Sequence, residues 1–384
     1  MTASASSLAP YTAHLAALAR RDRLRILQPR AGVDFSSNDY LGLAHDPLIA
    51  AAVTDAVARG VAIGAGGSRL LRGNAPEHKA LEAQAAAFFG CEAALFLANG
   101  FAANVALIAT LPRAGDVLVI DELIHASVHD GLAQARVPHI FVAHNDPQAF
   151  ADAIADWRAQ GGSGRPWIVA ETVYSMDGHV APVDSLVEIA ARHDAMLLLD
   201  EAHATGVFGA QGRGVAAHLQ GAENLVTLHT CGKALGVEGA LVCAARPLID
   251  TLINKARPFI YSTAPSPLIA VAVGAVLDRI GEAFGDKLRH RLHALRDHAG
   301  RVICEPLGLA YSPSQILPII LGDDARTMAM AGALQAAGFD VRGIRPPTVP
   351  TGTSRLRLSL TLNVTTAEID ALAAALLPLM RGAA

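Results

Sequence analysis

The stretch from Ala195 to Gly236 constrains the fold more than any other part of this chain. An apolar run, Met196-Leu197-Leu198-Leu199, ends on Asp200-Glu201-Ala202-His203. A second, Leu225-Val226-Thr227-Leu228, runs into His229-Thr230-Cys231-Gly232-Lys233-Ala234-Leu235-Gly236. Short apolar runs without polar alternation read as strands buried on both faces, the kind found in parallel sheets covered by helices. Each run delivers polar residues at its carboxyl end, where open α/β sheets place their ligands.

Asp200 with a histidine three residues on, followed by a lysine in a Thr-x-Gly-Lys-x-x-Gly turn, suits a pyridoxal phosphate site. Lys233 would hold the aldehyde as a Schiff base, and Asp200 would keep the pyridine nitrogen protonated so that the ring accepts electrons. Taken alone, Asp200 could equally bind a metal or a ribose, or cap a helix. Lys233 discriminates better, because a lone lysine between glycines is neither a good helix former nor an obvious surface residue. Gly232 and Gly236 let the backbone turn tightly beside a ligand. A Walker-type phosphate loop is excluded, since Lys233 is followed by Ala234 and not by Ser or Thr. Asp200 and His203 lack a third ligand nearby, so no metal is expected.

A chain of 384 residues can bury a large core, with room for one big domain and a smaller one. The expected division is an N-terminal helical arm over 1–45, a large domain over 46–285 and a small α+β domain over 286–384. A hydrophobic content of 52% suits tightly packed helices over a parallel sheet. No apolar stretch reaches spanning length without a charge or a helix breaker, so no membrane is expected. Lys and Arg number 31 against 35 Asp and Glu, a net charge of -4 that argues against a nucleic-acid surface. Cys91, Cys231, Cys243 and Cys304 have neither ligand nor disulfide spacing, and Met1-Thr2-Ala3-Ser4 does not begin a secretory leader. Reduced thiols in a cytoplasmic protein are the expectation.

Along the chain, residues 8–27 read as a helix carrying the basic run Arg20-Arg21-Asp22-Arg23-Leu24-Arg25, either a solvated face or an arm toward a partner or an anionic substrate. The loop Gly64-Ala65-Gly66-Gly67-Ser68-Arg69-Leu70-Leu71-Arg72-Gly73-Asn74 could wrap an anion or simply be a flexible surface loop. A strand over 93–97 leads through Asn99 and Gly100 into a helix, whose N-terminus is a ready phosphate seat. Further strands are expected at 116–120, 140–143, 167–171 and 240–243, with a successor reaching Phe259 to Thr263. His125 lies just beyond the strand at 116–120, where it could stack on an aromatic ring or serve as a cap or core residue. Short strands around 316–321, 339–343 and 355–360 and a helix from Thr366 to Leu379 describe the small domain.

The motifs arrive in a recognisable order: Ser-Ser-Asn-Asp-Tyr-Leu-Gly at 36–42, Gly-Phe-Ala-Ala-Asn at 100–104, His-Ala-Ser at 125–127 and Tyr-Ser-Met-Asp-Gly at 174–178. Then follow Asp-Glu-Ala-His-x-Thr-Gly at 200–206, Thr-x-Gly-Lys at 230–233, Tyr-Ser-Thr at 261–263 and Pro-Pro-Thr-Val-Pro at 346–350. This ordered set resembles the α-oxoamine synthases, a branch of the fold-type I pyridoxal phosphate enzymes, from about residue 20 to the C-terminus. The resemblance implies an α/β fold with a mostly parallel seven-stranded sheet in the large domain and a small C-terminal α+β domain. It makes Lys233 the Schiff-base lysine, Asp200 the partner of the ring nitrogen, His125 the residue stacked on the ring and His203 the partner of its phenolic oxygen. Ser175 would lie near the reacting groups. Phosphate would meet the backbone of Gly100 and Phe101 and the hydroxyl of Thr230. Ser262 and Thr263 would reach it from the opposite subunit of a homodimer whose site lies at the subunit interface. Asn38 and Arg357 would bind the amino acid carboxylate, with Arg25, Arg345 and Thr348 on the acyl side.

Within the family, Gly343 to Pro350 and Gly352 to Leu358 look most like the members that join L-alanine to a pimeloyl thioester, carried by CoA or by a carrier protein, with loss of CO2 in biotin synthesis. The glycine-using relatives, 5-aminolevulinate synthase and 2-amino-3-oxobutyrate CoA ligase, usually have Tyr-Pro in place of Pro346-Pro347. An aminotransferase on the same fold is a further alternative.

Overall fold

The computed structural model describes residues 7–382, so the start read above at Met1–Ser4 lies outside the described residues. In chain order the strands are β1 (Val33–Asp34), β2 (Ala93–Leu97), β3 (Val117–Asp121), β4 (His139–Val142), β5 (Pro166–Glu171), β6 (Met196–Asp200), β7 (Leu225–Thr230), β8 (Ala240–Ala244), β9 (Ile316–Gly322), β10 (Phe339–Asp340), β11 (Arg342–Ile344) and β12 (Ser354–Ser359). The chain divides into two compact units. One comprises 38–175 and 179–293; the other comprises the described part of 1–37, 176–178 and 294–384. The expected boundaries at 45/46 and 285/286 thus compare with observed ones at 37/38 and 293/294, and residues 176–178 leave the first unit for the second.

The first unit is built on a seven-stranded sheet ordered β2-β8-β7-β6-β5-β3-β4. From β7 to β4 all neighbours are parallel, while β8 runs antiparallel to both β7 and β2. The reason lies in the chain. Only residues 231–239 separate β7 from β8, and a parallel neighbour needs a crossover of roughly a dozen residues or more. Side chains alternate between two apolar layers: Met196 and Leu198 pack with Leu107, Leu118 and Val226, and Leu197 and Leu199 pack with Val119, Ile168 and Ile189. Each such leucine, fully buried, contributes roughly 1.5–3 kcal/mol of transfer free energy. That is why the run at 196–199 admits no polar residue.

Two helices of this unit begin at side-chain caps. Asn99 accepts from Ala102 N at 2.8 Å to open the helix Gly100–Thr110, and Asp146 does the same for Pro147–Ala159. The strand expected to reach Phe259 is instead two helices, Arg246–Lys255 and Arg257–Ile260. Pro247 and Pro258 sit in their first turns, where a missing N–H is tolerated.

The second unit carries the three-stranded antiparallel sheet β11-β12-β9 and the parallel pair β1-β10. The single strand expected at 339–343 is split, with Phe339–Asp340 pairing to β1 and Arg342–Ile344 to β12. The helix expected over 8–27 is confined to Ala9–Ala19. Asp22 adopts a positive φ of 54°, which ends any helix. The C-terminal helix runs over Thr366–Gly382. No helix of the described residues is long and apolar enough to cross a membrane.

Candidate active site

Four strands of the first unit end in polar side chains at one edge of the sheet: Asp121 on β3, Glu171 on β5, Asp200 on β6 and Thr230 on β7. Glu171 and Asp200 are paired in register on adjacent strands. Lys233 stands in the tight loop between β7 and β8. Bonds from Cys231 N to Gly239 O (2.8 Å), Val237 N to Cys231 O (2.9 Å) and Gly236 N to Lys233 O (2.8 Å) fix that loop. Gly236 has φ +66°, and a Cβ there would lie 2.4 Å from Ala44 N, so the turn closes against backbone.

Two hydrogen-bonded chains converge on this edge. In one, Lys233 Nζ lies 2.7 Å from His203 Nε2, His203 Nδ1 lies 2.6 Å from the Tyr40 hydroxyl, and Tyr40 donates to Asn38 Oδ1 at 2.9 Å. Donation running from Lys233 through His203 and Tyr40 to Asn38 uses each of these groups consistently. In the other, Asp200 Oδ2 accepts from Asn104 Nδ2 at 2.7 Å. The same amide nitrogen donates to Ser127 Oγ at 3.0 Å, and that oxygen lies 2.7 Å from His125 Nδ1. Asp200 Oδ1 takes the backbone N–H of Ala202 at 2.8 Å. Asp200 is therefore a buried carboxylate, 5% exposed, with a donor on each oxygen.

The electrostatics follow from this crowding. Burial, reinforced by the charge of Asp200 and opposed by Lys233, raises the Glu171 carboxyl to about 8. Its Oε2 accepts from Ser175 N at 3.0 Å, which seats Ser175 on the same edge. Burial holds His125 below the ordinary imidazole value; Asp200 pulls upward against it and Lys233 adds to the lowering. Glu201 is lifted to about 7 by burial, against donors from Ala216 N, Thr172 and Val215 N. Those bonds bind it to the turn at 215–216 rather than to the site. Burial also pushes the Cys231 thiol up, so it is not a poised nucleophile.

Gly100 opens its helix beside Thr230, whose Oγ1 would lie 3.6 Å from a Cβ at Gly100. A helix N-terminus and a hydroxyl thus share one place, with Phe101 next along the helix. Ser262 and Thr263 are pinned elsewhere on the same unit, through a bridge from Ser68 to Thr263 and a bond from Ala264 N to Gly67 O at 2.9 Å. His78 helps: its Nδ1 accepts from Ala75 N, so its Nε2–H donates to Pro265 O at 2.8 Å. The glycine-rich loop therefore supports the 262–265 segment. Arg69 does not reach toward an anion. Its guanidinium is committed to Glu82 (2.9 Å), Asn74 (2.9 Å) and Phe96 O (3.3 Å).

In the second unit, Arg25 Nη2 donates to Thr348 Oγ1 at 3.2 Å and Arg345 Nη2 to Leu24 O at 2.9 Å, which gathers Arg25, Arg345 and Thr348. Burial, with Arg25 nearby, lowers the affinity of Arg345 for its proton. Arg357 is buried on β12 and donates to Ser359 Oγ at 2.6 Å, while its strand neighbour Arg355 is tied to Asp177 and Met176 O. Sequence reasoning missed Tyr40, Asn104, Ser127 and Glu171. Tyr40, Asn104 and Ser127 lay inside motifs quoted for other residues. Glu171 was visible only as the last residue of an apolar strand.

An amine, a buried carboxylate, two imidazoles and a helix N-terminus with a hydroxyl form a donor set that fits a pyridine aldehyde bearing a phosphate. Comparison with known proteins agrees in family. The sequence pattern of the family described as aminotransferase class I and II matches residues 30–376. An 8-amino-7-oxononanoate synthase of Anaeromyxobacter dehalogenans is 43% identical over 353 residues, spanning 90% of this chain and 86% of the relative. Among solved structures, the 8-amino-7-oxononanoate synthase of Francisella tularensis superposes with a TM-score of 0.77 at 26% identity, over 92% of this chain and 98% of that one. A serine palmitoyltransferase from S. paucimobilis with bound PLP-myriocin aldimine gives 0.86 at 26% identity, over 98% of each chain.

Proposed function

We propose that this chain, which belongs to the class I and II aminotransferase family and within it to the 8-amino-7-oxononanoate synthases, condenses L-alanine with a pimeloyl thioester and releases CO2, the free thiol and 8-amino-7-oxononanoate. The feature that supports this reading most is the meeting of Lys233, His203 and Asp200 at the carboxyl edge of two neighbouring strands.

Held at Lys233, pyridoxal phosphate supplies an electron sink that lets the alanine Cα carry negative charge and later lets the carboxylate leave as CO2. Asp200, with a donor on each oxygen, is assigned to the ring nitrogen, where a carboxylate favours a proton. His203 is assigned to the phenolic oxygen, His125 to the ring face, and Ser175 to the vicinity of the reacting groups. The N-terminal amides of Gly100 and Phe101, with the Thr230 hydroxyl, are assigned to the phosphate. Lys233, when its amine is free and neutral, would take the Cα proton onto its nitrogen lone pair and would return a proton to the same carbon at the end. Asn38 and Arg357 are assigned to the alanine carboxylate, where a guanidinium fork fixes orientation as well as charge. His125 donates a hydrogen bond to the acyl oxygen as the new C–C bond forms. Arg25, Arg345 and Thr348 are assigned to the acyl carrier side.

The working form is taken to be a homodimer in which Ser262 and Thr263 of one subunit complete the phosphate site of the other. Exposed Leu71 and Tyr261, flanking the paired Ser68–Thr263 segment, support that assignment. Four unbridged cysteines accord with work in the cytoplasm.

The test is thiol release from pimeloyl-, acetyl-, succinyl- and palmitoyl-CoA, and from a pimeloyl carrier protein, with alanine, glycine or serine. Alanine with a pimeloyl donor should win. A preference for glycine with a short thioester would overturn the substrate assignment and leave the family membership untouched.

A further inference from the structure

Asn104 is an anomaly in its helix. It is 2% exposed among Ala103, Val105, Ala106, Leu107 and Ile108, all buried. Its Oδ1 finds no hydrogen-bond partner among the described residues. Buried polar atoms left unsatisfied are rare in native proteins, and an apolar side chain would fill this position without one. What the amide does make is specific: Nδ2 gives one hydrogen to Asp200 Oδ2 at 2.7 Å and the other to Ser127 Oγ at 3.0 Å. Turning the amide over would set a carbonyl oxygen against the Asp200 carboxylate, so its orientation is fixed.

The consequence passes along the chain of bonds. Ser127 Oγ accepts from Asn104 and lies 2.7 Å from His125 Nδ1, to which it can give its own hydrogen. The backbone N–H of Ser127 points at the same nitrogen from 3.2 Å. Nδ1 therefore faces two donors and acts as an acceptor, which leaves the ring proton on Nε2. An imidazolium would put N–H against N–H. The low proton affinity of His125 agrees with this. The charged or titratable groups that face it are Asp200, Lys233 and His129.

We propose that Asn104 and Ser127 are positioning residues that hold His125 as a neutral imidazole protonated at Nε2, so that it meets the acyl oxygen as a hydrogen-bond donor and never as a base. The second half of that statement rests on the function proposed above; the first half rests on the geometry alone. Asn104 then has a double duty, since it also secures the carboxylate of Asp200, whereas the Ser127 hydroxyl bonds Asn104 and His125. That asymmetry makes the two separable.

The experiment is 15N NMR of histidine-labelled holoenzyme, with His125 assigned through a His125→Gln variant. Wild type should show His125 protonated at Nε2 and bare at Nδ1. In Ser127→Ala the hydroxyl facing Nδ1 is gone, and in Asn104→Ala it loses the donor that orients it; in each the His125 titration midpoint should rise by roughly half a pH unit or more. Ser127→Thr, which keeps the hydroxyl, should restore the wild-type midpoint. A wild-type Nδ1–H signal, or midpoints unmoved in both alanine variants, overturns the proposal. Should Asn104→Ala fail to fold, the Ser127→Ala and Ser127→Thr pair decides alone. Kinetically, Ser127→Ala should slow thiol release roughly tenfold while alanine Cα–H exchange in D2O continues; equal losses in both would mean general damage and would also overturn it. If the enzyme released no thiol from any acyl donor, the function reading would fail while the tautomer was still decided by the spectrum.

Discussion

Glu171 and His229 are both fully buried, and burial acts on them with opposite sign. Glu171 is raised from 4.5 to about 8, so its contribution to stability is present at low pH and is lost as pH climbs from about 4.5 toward 8. Glu171→Gln mimics the protonated form. Relative to wild type it should be near-neutral in melting temperature at pH 5 and stabilised at pH 9; a gap that does not change with pH would contradict the assignment. His229 stacks on Phe89 at 3.7 Å and bonds Thr205 and Thr227, and burial pushes it down to about 3. Its contribution is present above 6.5 and is lost as pH falls toward 3. Nearer the chemistry, Asp200→Asn should retain cofactor but lose most turnover, because electrostatic stabilisation of this kind is worth about 3–4 kcal/mol in a closed site. Arg357→Ala should weaken alanine binding and leave the cofactor spectrum intact. Absorbance spectra beside alanine titrations separate the two, and equal cofactor loss in both would refute these distinct roles. At this scale the sequence was legible where a residue type is chemically rare in its setting, as with Lys233 between glycines. Asn104 was hidden because the same five letters, Gly-Phe-Ala-Ala-Asn, were read for the helix N-terminus and not for the amide one turn later.

Elements were legible by their apolar runs and misread where direction or partner matters. Strands β2, β5, β6 and β9 fall within a residue or so of where their apolar runs place them. The antiparallel course of β8 is implied only by the length of the loop before it, a constraint on topology and not on composition. Residues 246–255 and 257–260 are helical despite strand-favouring Ile249, Phe259 and Ile260, and the signals for it are Pro247 and Pro258 in the first turns. The loop between β7 and β8 invites a direct test. Gly236→Ala would force a positive φ on a residue with a Cβ and drive that Cβ into Leu43 and Ala44 backbone. The expected cost is about 1–3 kcal/mol of stability, read by urea unfolding, together with loss of the visible absorbance at Lys233. Wild-type stability and spectrum would show that the turn is not held as described.

For the molecule as a whole, the proposed shared-site dimer makes a quantitative demand. A monomer has a mass of 39.8 kDa, so light scattering should give twice that. Lys233→Ala and the double variant Ser262→Ala with Thr263→Ala should each be inactive alone. After subunit exchange, half the dimers are hybrids with one intact site, and about a quarter of wild-type activity should return. No recovery from a mixture shown to contain hybrids would place Ser262 and Thr263 in their own subunit's site. One further consequence concerns synthesis. Val33 of β1 pairs with Phe339 of β10, two strands that leave the ribosome some 306 residues apart. At about 5–20 residues per second the first of them waits roughly 15–60 s for its neighbour to be translated. Throughout that interval the two residues of β1 lack the strand they pair with in the finished chain.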